Sequence, residues 1–343
     1  MNKEIDIKKY NVRTDLVVDL FDSDIKENNI KITKKEIDNI LITDIDILND
    51  NNSLNKKKGK YITISFEDVT DKDNKKKVEE VLINSIKEML KYLNIDFNKK
   101  ALIIGLGNIE STPDALGPKT IKKTLITKYL FDIDGVDVSP NYRNVSSFIP
   151  GVLASTGIES SDMIKGIISE SKPDFLIVID ALASSSIDRI NKTIQMTDSG
   201  INPGSGIGNN RKEISKDILG IPVISIGVPT VIEAIVLVSD TIQYMYKHLS
   251  YNKDNINKNK LIPVTKRDYS KYDKELTKEE KQEFLGQVGL LSEEETKELI
   301  FEVLTPINYN MMVTPKEIDF LMEQLSDVIA NSINCALHKN FDI

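Results

Sequence analysis

The sequence predicts an α/β protein built on a mainly parallel sheet flanked by helices, with a helical C-terminal part. Three observations carry that prediction. Short, continuous apolar runs at residues 101–104, 175–179 and 222–228 suit strands covered on both faces. Between and before them, residues 74–93, 119–130 and 159–171 read as helices. From about residue 275 only helical patterns follow, opened by explicit capping sequences.

Composition narrows the class. The 343 residues are 40% hydrophobic, enough for a sizeable core. Lysine and arginine total 45 against 53 acidic residues, a net charge of -8, and a general nucleic-acid binder needs a basic surface instead. A lone Cys335 permits no internal disulfide, no apolar run is long enough for a bilayer, and the charged start lacks a signal-peptide core. A cytosolic protein with no membrane partner is expected. The lysine runs at 56–60 and 75–77 read as solvated faces.

Taken in order, the first 21 residues look extended and accessible, with Ile5 and Ile7 alternating with charges. Residues 22–60 predict short strands or hairpins, and the β-branched run 61–66 a strand. Val78, Val81, Leu82, Ile86, Met89 and Leu90 then share one helical face. The strand at 101–104 ends in Gly105-Leu106-Gly107-Asn108, followed by Thr112-Pro113-Asp114 and, after Gly117-Pro118, the helix 119–130. A polar loop covers 142–157, and Asp180 caps the strand 175–179. Beyond the short strand 193–197 comes the glycine-rich loop 198–211, then the strand 222–228, with a helix starting in 229–234. Residues 253–260 read as a surface insertion. Thr277 with Glu280, Ser292 with Glu295, and Thr314-Pro315 with Glu317 fit the capping box. Ile318, Leu321, Met322, Leu325, Val328, Ile329 and Ile333 then form a stripe for a core or a subunit interface.

Several chemistries find no support. His248 and His338 lie beside no plausible nucleophile, and a usual zinc site lacks ligands, so neither a catalytic triad nor a metal or other cofactor is expected. Cys335 and His338, a helical turn apart, read as buried helix residues. Gly105-Leu106-Gly107 lacks the third glycine of a dinucleotide fingerprint, where Glu110 would repel a pyrophosphate, and 204–208 has the wrong spacing for a P-loop. Asp198-Ser199-Gly200 matches a pepsin-type triplet, but that fold is all-β, and a turn is the better reading. Asp114 and Asp180 remain. In an open α/β sheet, ligands bind beyond the carboxyl ends of the strands, where both fall. Each is either a helix or strand cap or half of a pair in which like-charge repulsion holds one proton, able to activate water and protonate a leaving amine.

Five blocks resemble the germination proteases of spore-forming bacteria: Val12-Arg13-Thr14-Asp15-Leu16; Gly105-Leu106-Gly107-Asn108 with Thr112-Pro113-Asp114-Ala115-Leu116-Gly117-Pro118; Asp180-Ala181-Leu182-Ala183; residues 202–209; and Met312-Val313-Thr314-Pro315-Lys316-Glu317. The resemblance spans nearly the whole chain. It implies an endopeptidase that degrades small acid-soluble spore proteins in the forespore or spore core, a homotetramer, and a fold similar to the hydrogenase-maturation endopeptidases. It also implies a zymogen with a pro-segment 1–15, which mimics substrate and is removed by self-cleavage at Asp15-Leu16, leaving residues 16–343 as one protease domain. The family's two catalytic aspartates match Asp114 and Asp180. Ile109-Glu110-Ser111 departs from the pattern, and Glu110 stands close enough in sequence to raise the pKa of Asp114 or alter metal affinity.

An acidic residue before the scissile bond calls for a cationic pocket. Among the scarce arginines, Arg143 and Arg211 occupy polar loops near the expected crevice and are the candidates, with surface ion pairs as the plain alternative. Two rival functions stay open on the residues alone: a peptidase in which Asp114 and Asp180 hold a divalent metal, and a non-catalytic binding protein in which they are caps.

Overall fold

Asp38 and Asn39 both adopt positive φ, 51° and 66°, as a two-residue hairpin turn requires, and so open the sheet. The structure is a computed structural model, and it describes residues 14–20, 27–133, 137–204, 211–255, 272, 274–304, 311–339 and 341. Residues 1–13 of the N-terminal segment, part of the glycine-rich loop (205–210) and much of the insertion (256–260) lie outside the described residues; the rest of that N-terminal segment is not accessible as expected, since Val17–Asp19 forms a 3-10 turn and Leu16, Val17 and Val18 are buried. The Asp38-Asn39 turn joins β1 (Ile30–Ile37) to β2 (Ile40–Ile47), and β3 (Gly59–Ser65) pairs antiparallel with β2. The hairpin expected within 22–60 is therefore present.

The helix α1 (Lys72–Tyr92) follows, its first-turn Asn74 amide donating to the Asp71 carboxylate at 3.0 Å. Next come β4 (Ala101–Gly105), α2 (Leu116–Lys123), β5 (Val145–Phe148), the single turn α3 (Leu153–Thr156), α4 (Ser160–Ser171), β6 (Phe175–Ser184), β7 (Thr193–Thr197), the single turn α5 (Lys216–Leu219) and β8 (Val223–Glu233). After α6 (Ala234–Asn255), α7 (Lys278–Leu285), α8 (Glu293–Leu304) and β9 (Met312–Val313), α9 (Ile318–Leu337) closes the chain. The strands lie in the order β1-β2-β3-β7-β8-β6-β4-β5, with β9 beside β8.

An α/β sheet flanked by helices is thus present, and its pairing is mixed. β4 is parallel to both β5 and β6, whereas β1/β2, β2/β3, β3/β7 and β7/β8 are antiparallel. The parallel neighbours β4, β5 and β6 need crossovers, supplied by α2 and α4, whereas the antiparallel β1 and β2 are joined by the tight Asp38-Asn39 turn. On one face Ile62, Ile103, Ile177, Ile194 and Ile226 pack against the apolar stripes of α1 and α9. On the other, Leu102, Ile104, Leu176 and Val178 meet Ile164 of α4. The α9 stripe is therefore core.

Three boundaries differ from expectation. The helix expected over 119–130 stops at Lys123, because the Leu125 amide donates to the Asn334 side chain of α9 at 2.8 Å instead of continuing the helix. The strand expected to end at Ile179 runs on to Ser184, and that expected to end at Val228 runs on to Glu233, through a proline whose carbonyl accepts from the Asn191 amide at 2.8 Å. Thr277 and Ser292 form their capping boxes; Thr314 does not, since its hydroxyl donates to the Thr230 carbonyl at 2.8 Å.

Two compact units result. One comprises the described residues within 13–184, 188–231 and 314–343 and contains all the candidate site residues; the other holds those within 185–187 and 232–313, where β9 pairs with Ile232 and Glu233 and α6 packs on α8. Among the described residues no helix is long and apolar enough to cross a membrane.

Candidate active site

Where β4 ends, Gly107 takes a φ of +110° and lies so close to the Asp114 carbonyl that any Cβ would collide with it. The loop therefore folds back on itself. The Asn108 amide donates to Asp114 Oδ2 at 2.8 Å, the Glu110 amide to Asn108 Oδ1 at 3.0 Å, and the Asp114 amide to the Ser111 carbonyl at 2.8 Å. Thr112–Asp114 closes as a single 3-10 turn with proline in its first positions. Behind it, Gly117 lets the start of α2 approach the backbone of Leu106 and Ile179. The expected crevice is real: a cavity of about 220 Å³ lies over the carboxyl ends of β4 and the middle of β6, lined by Asp114, Asp180, Gly107, Glu159, Ser161 and Arg211 among others.

Asp180 is not a cap but an interior residue of β6, 5% exposed. Its Oδ1 accepts from the Ala181 amide at 3.0 Å. Burial raises its pKa well above 3.8, and the negative charges of Asp114 and Asp15 raise it further. Asp114 is raised to about 6, by burial and against the Asn108 amide. Both carboxyls are thus pushed toward their neutral forms, Asp180 by the deeper burial and by the charges around it, while Asp114, at about 6, is mostly ionised near neutral pH. Two carboxyls in such different environments can divide the roles of base and acid.

The third charge in that balance belongs to the expected processing site. The Asp15 amide donates to the Ala183 carbonyl at 3.1 Å, and the Ala183 amide donates to Asp15 Oδ2 at 2.9 Å, so Asp15 lies against the end of β6. The Asp15 carbonyl accepts from Lys56 Nζ at 3.3 Å and from Gln195 Nε2 at 3.2 Å, and Gln195 Oε1 accepts from the Val17 amide at 2.7 Å. Leu16 is extended, with φ -79° and ψ 131°, and completely buried with Val17, Ile45, Ile47, Tyr61 and Leu182. At about 1.5–3 kcal/mol for each fully buried large aliphatic side chain, this anchor is strong.

The other candidates fare differently. Arg211 lines the cavity, with its guanidinium 3.8 Å from the Glu159 carboxylate. Arg143 does not come to the cavity. It precedes β5, at the amino ends of the parallel strands, on the order of 10 Å back along the sheet. There it donates to the Asp96 and Lys99 carbonyls at 2.8 Å each, between the rings of Phe97 and Phe175. Glu110 is exposed and plays no part in raising Asp114. Asp198 accepts from the Lys60 amide at 2.7 Å, ahead of Gly200 at φ +93°, a turn as expected. Cys335 and His338 are buried, and His338 Nδ1 accepts from the Arg143 amide at 3.3 Å. Among the described residues no three His, Cys, Asp or Glu side chains are grouped to hold a metal.

Lys56 and Gln195 escaped the sequence reading. Lys56 belongs to a run read as solvated, yet its ammonium is drawn inward beside Asp15 and Asp19, and burial lowers its pKa. Asn52 shapes its loop, donating to the Lys56 carbonyl at 2.7 Å. No pattern in a lysine-rich sequence distinguishes Lys56 from its neighbours.

A helix-flanked sheet carrying two raised carboxyls in one cavity, beside a peptide segment hydrogen-bonded to the same strand, has the parts for acid-base chemistry on a peptide. Comparison with known proteins makes the class specific. The family model described as germination protease matches residues 7–343, and the chain belongs to that family, which makes it a peptidase. The germination protease of Priestia megaterium is 42% identical over 100% of this chain and 98% of that protein. Those of Bacillus subtilis, 42% identical, and Bacillus licheniformis, 44% identical, each match over 98% of this chain and 96% of their own length. Among solved structures, a [NiFe] hydrogenase maturation protease from Thermococcus kodakarensis is similar at a TM-score of 0.24 and 18% identity, over 38% of this chain and 74% of that one.

Proposed function

We propose that this peptidase is an endopeptidase that begins the degradation of small acid-soluble spore proteins in the spore core during germination. It is made as a zymogen, removes residues 1–15 by hydrolysing Asp15-Leu16, and works from Leu16 onward as one protease domain within a homotetramer. Asp114 and Asp180 are its catalytic pair, without a cofactor. The observation that carries this reading is that the charges of Asp114 and of Asp15, the residue before the expected scissile bond, both act on the buried Asp180.

The roles follow from the two environments. The Asp114 carboxylate accepts a proton from water, and the Asp180 carboxylic acid donates one to the leaving amine. Leu16, held in its apolar pocket, and Asp15, bridged to Ala183, keep the bond extended. Arg211, at the cavity wall, is left to bind substrate carboxylates; Arg143 is structural.

Intact mass of the full-length chain, followed at mildly acidic and neutral pH, tests the reading. Wild type loses residues 1–15, while Asp114→Asn and Asp180→Asn keep them. Processing of both variants at the wild-type rate would place the chemistry elsewhere.

A further inference from the structure

The Asp15 carbonyl is held from two sides by donors belonging to separate elements, and neither donor has a role in the carboxyl pair. Lys56 Nζ approaches it at 3.3 Å, with the Thr14 carbonyl at 3.4 Å, and Gln195 Nε2 approaches at 3.2 Å. Gln195 comes from the buried strand β7, 6% exposed, and its other amide atom is fixed by the Val17 amide at 2.7 Å. The one side chain thus grips the backbone on both sides of Leu16. Lys56 is placed by a loop that Asn52 ties through its own donors to the Asn49, Asp50 and Lys56 carbonyls. These are donors set in place before any reaction, aimed at the oxygen on which charge develops when that carbonyl is attacked.

We propose that Lys56 and Gln195 form the oxyanion site of this peptidase, polarising the carbonyl of the residue before the scissile bond, with Lys56 also supplying the cation that favours an acidic residue there. The proposal rests on the processing reading above. In the step, Asp114 takes a proton from water as the water oxygen bonds to the Asp15 carbonyl carbon, and the carbonyl π pair moves onto the oxygen between Lys56 and Gln195. The intermediate then collapses: that pair returns, the bond to the Leu16 nitrogen breaks, and the nitrogen takes the proton of Asp180. Water has been divided between a new Asp15 carboxyl and a new Leu16 amine, and the proton on Asp114 restores the pair. Beside Arg211 at the cavity wall, the lysine brings a second cation to the acidic residue itself, since the Asp15 charge acts on its ammonium.

The test follows loss of residues 1–15 by intact mass in full-length wild type, Lys56→Met, Lys56→Arg and Gln195→Leu, with circular dichroism on each. Removing one preorganised oxyanion donor costs about 10²–10³-fold in rate, so Lys56→Met and Gln195→Leu slow processing by that factor and Lys56→Arg recovers much of it. If wild type processes and both neutral variants keep pace within about threefold, the oxyanion site is overturned while the carboxyl pair stands. If wild type itself keeps residues 1–15, the processing reading falls and takes this one with it. Should Lys56→Met fail to fold, Gln195→Leu alone decides between these results.

Discussion

Replacing Asp114 with asparagine should make the protein more stable near neutral pH while abolishing its chemistry. Burial carries this carboxyl from its ordinary 3.8 to about 6, a rise of roughly two pH units. Each unit is worth 1.36 kcal/mol, so ionising Asp114 in the native state costs up to about 3 kcal/mol relative to the unfolded chain. The sign follows from the direction. A carboxyl whose pKa is raised by folding helps the fold below pH 3.8, and that help is lost as the pH climbs through about 6. Asparagine keeps an oxygen for the Asn108 amide and removes the charge, and with it the base of the proposed pair. Urea denaturation of wild type and Asp114→Asn at pH 7.5 and at pH 4 reads the effect: a gain of about 2–3 kcal/mol at the higher pH, shrinking toward zero at the lower. A variant less stable than wild type at pH 7.5, or a gain that does not change with pH, would refute the placement of a raised, buried carboxylate at this position.

Other perturbations separate the parts of the structure. Gly107→Ala forces a Cβ into the Asp114 carbonyl at a φ of +110°, so processing followed by intact mass should fall at least tenfold with the sheet retained by circular dichroism. Arg143→Ala strips the Asp96 and Lys99 carbonyls of a buried donor and should cost about 2–4 kcal/mol in urea unfolding, with processing of the folded fraction unchanged. Glu323, lowered to about 2 by the side chains of Lys119 and Lys123, contributes stability above its ordinary 4.5 that disappears as the pH falls toward 2. Its half-exposed position limits the loss in Glu323→Gln to under about 1 kcal/mol near pH 7, measurable as a small shift in thermal midpoint. His338, buried and held down to about 4, works in the same direction with acid: the fold weakens as the pH drops from 6.5 toward 4, and His338→Gln should flatten that limb of the stability curve.

Which features were legible follows from how local their causes are. The β4 and β6 cores, the α1 and α9 stripes and two capping boxes are written in spacing and short-range chemistry, and the structure contains them. So is the Gly107 to Asp114 loop, where glycine and proline signal a tight return. Where long-range partners decide, the sequence says nothing: Asn334 ends α2, the Thr230 carbonyl takes the hydroxyl meant for a cap, and Leu182, packed near Leu16, belongs to a strand that outruns its apolar signal. Arg143 and Lys56 both leave their expected places for the same reason. A polar loop at the wrong end of a strand looks like one at the right end, and a buried lysine looks like an exposed one.

The contact between Asp15 and Ala183 has a consequence for what the peptidase can accept. Both hydrogen bonds use main-chain atoms of β6, and Gln195 reads the amide of Val17 and the carbonyl of Asp15 in the same stroke. A residue seated there must surrender its amide and carbonyl to the enzyme, which a helical turn or a paired strand has already committed elsewhere. Under the proposed function, a segment qualifies first by being unwound and only then by its acidic side chain. Selection would be made on the folding state of the victim, so that a protein released from whatever had ordered it becomes food while the same chain, still ordered, is passed over.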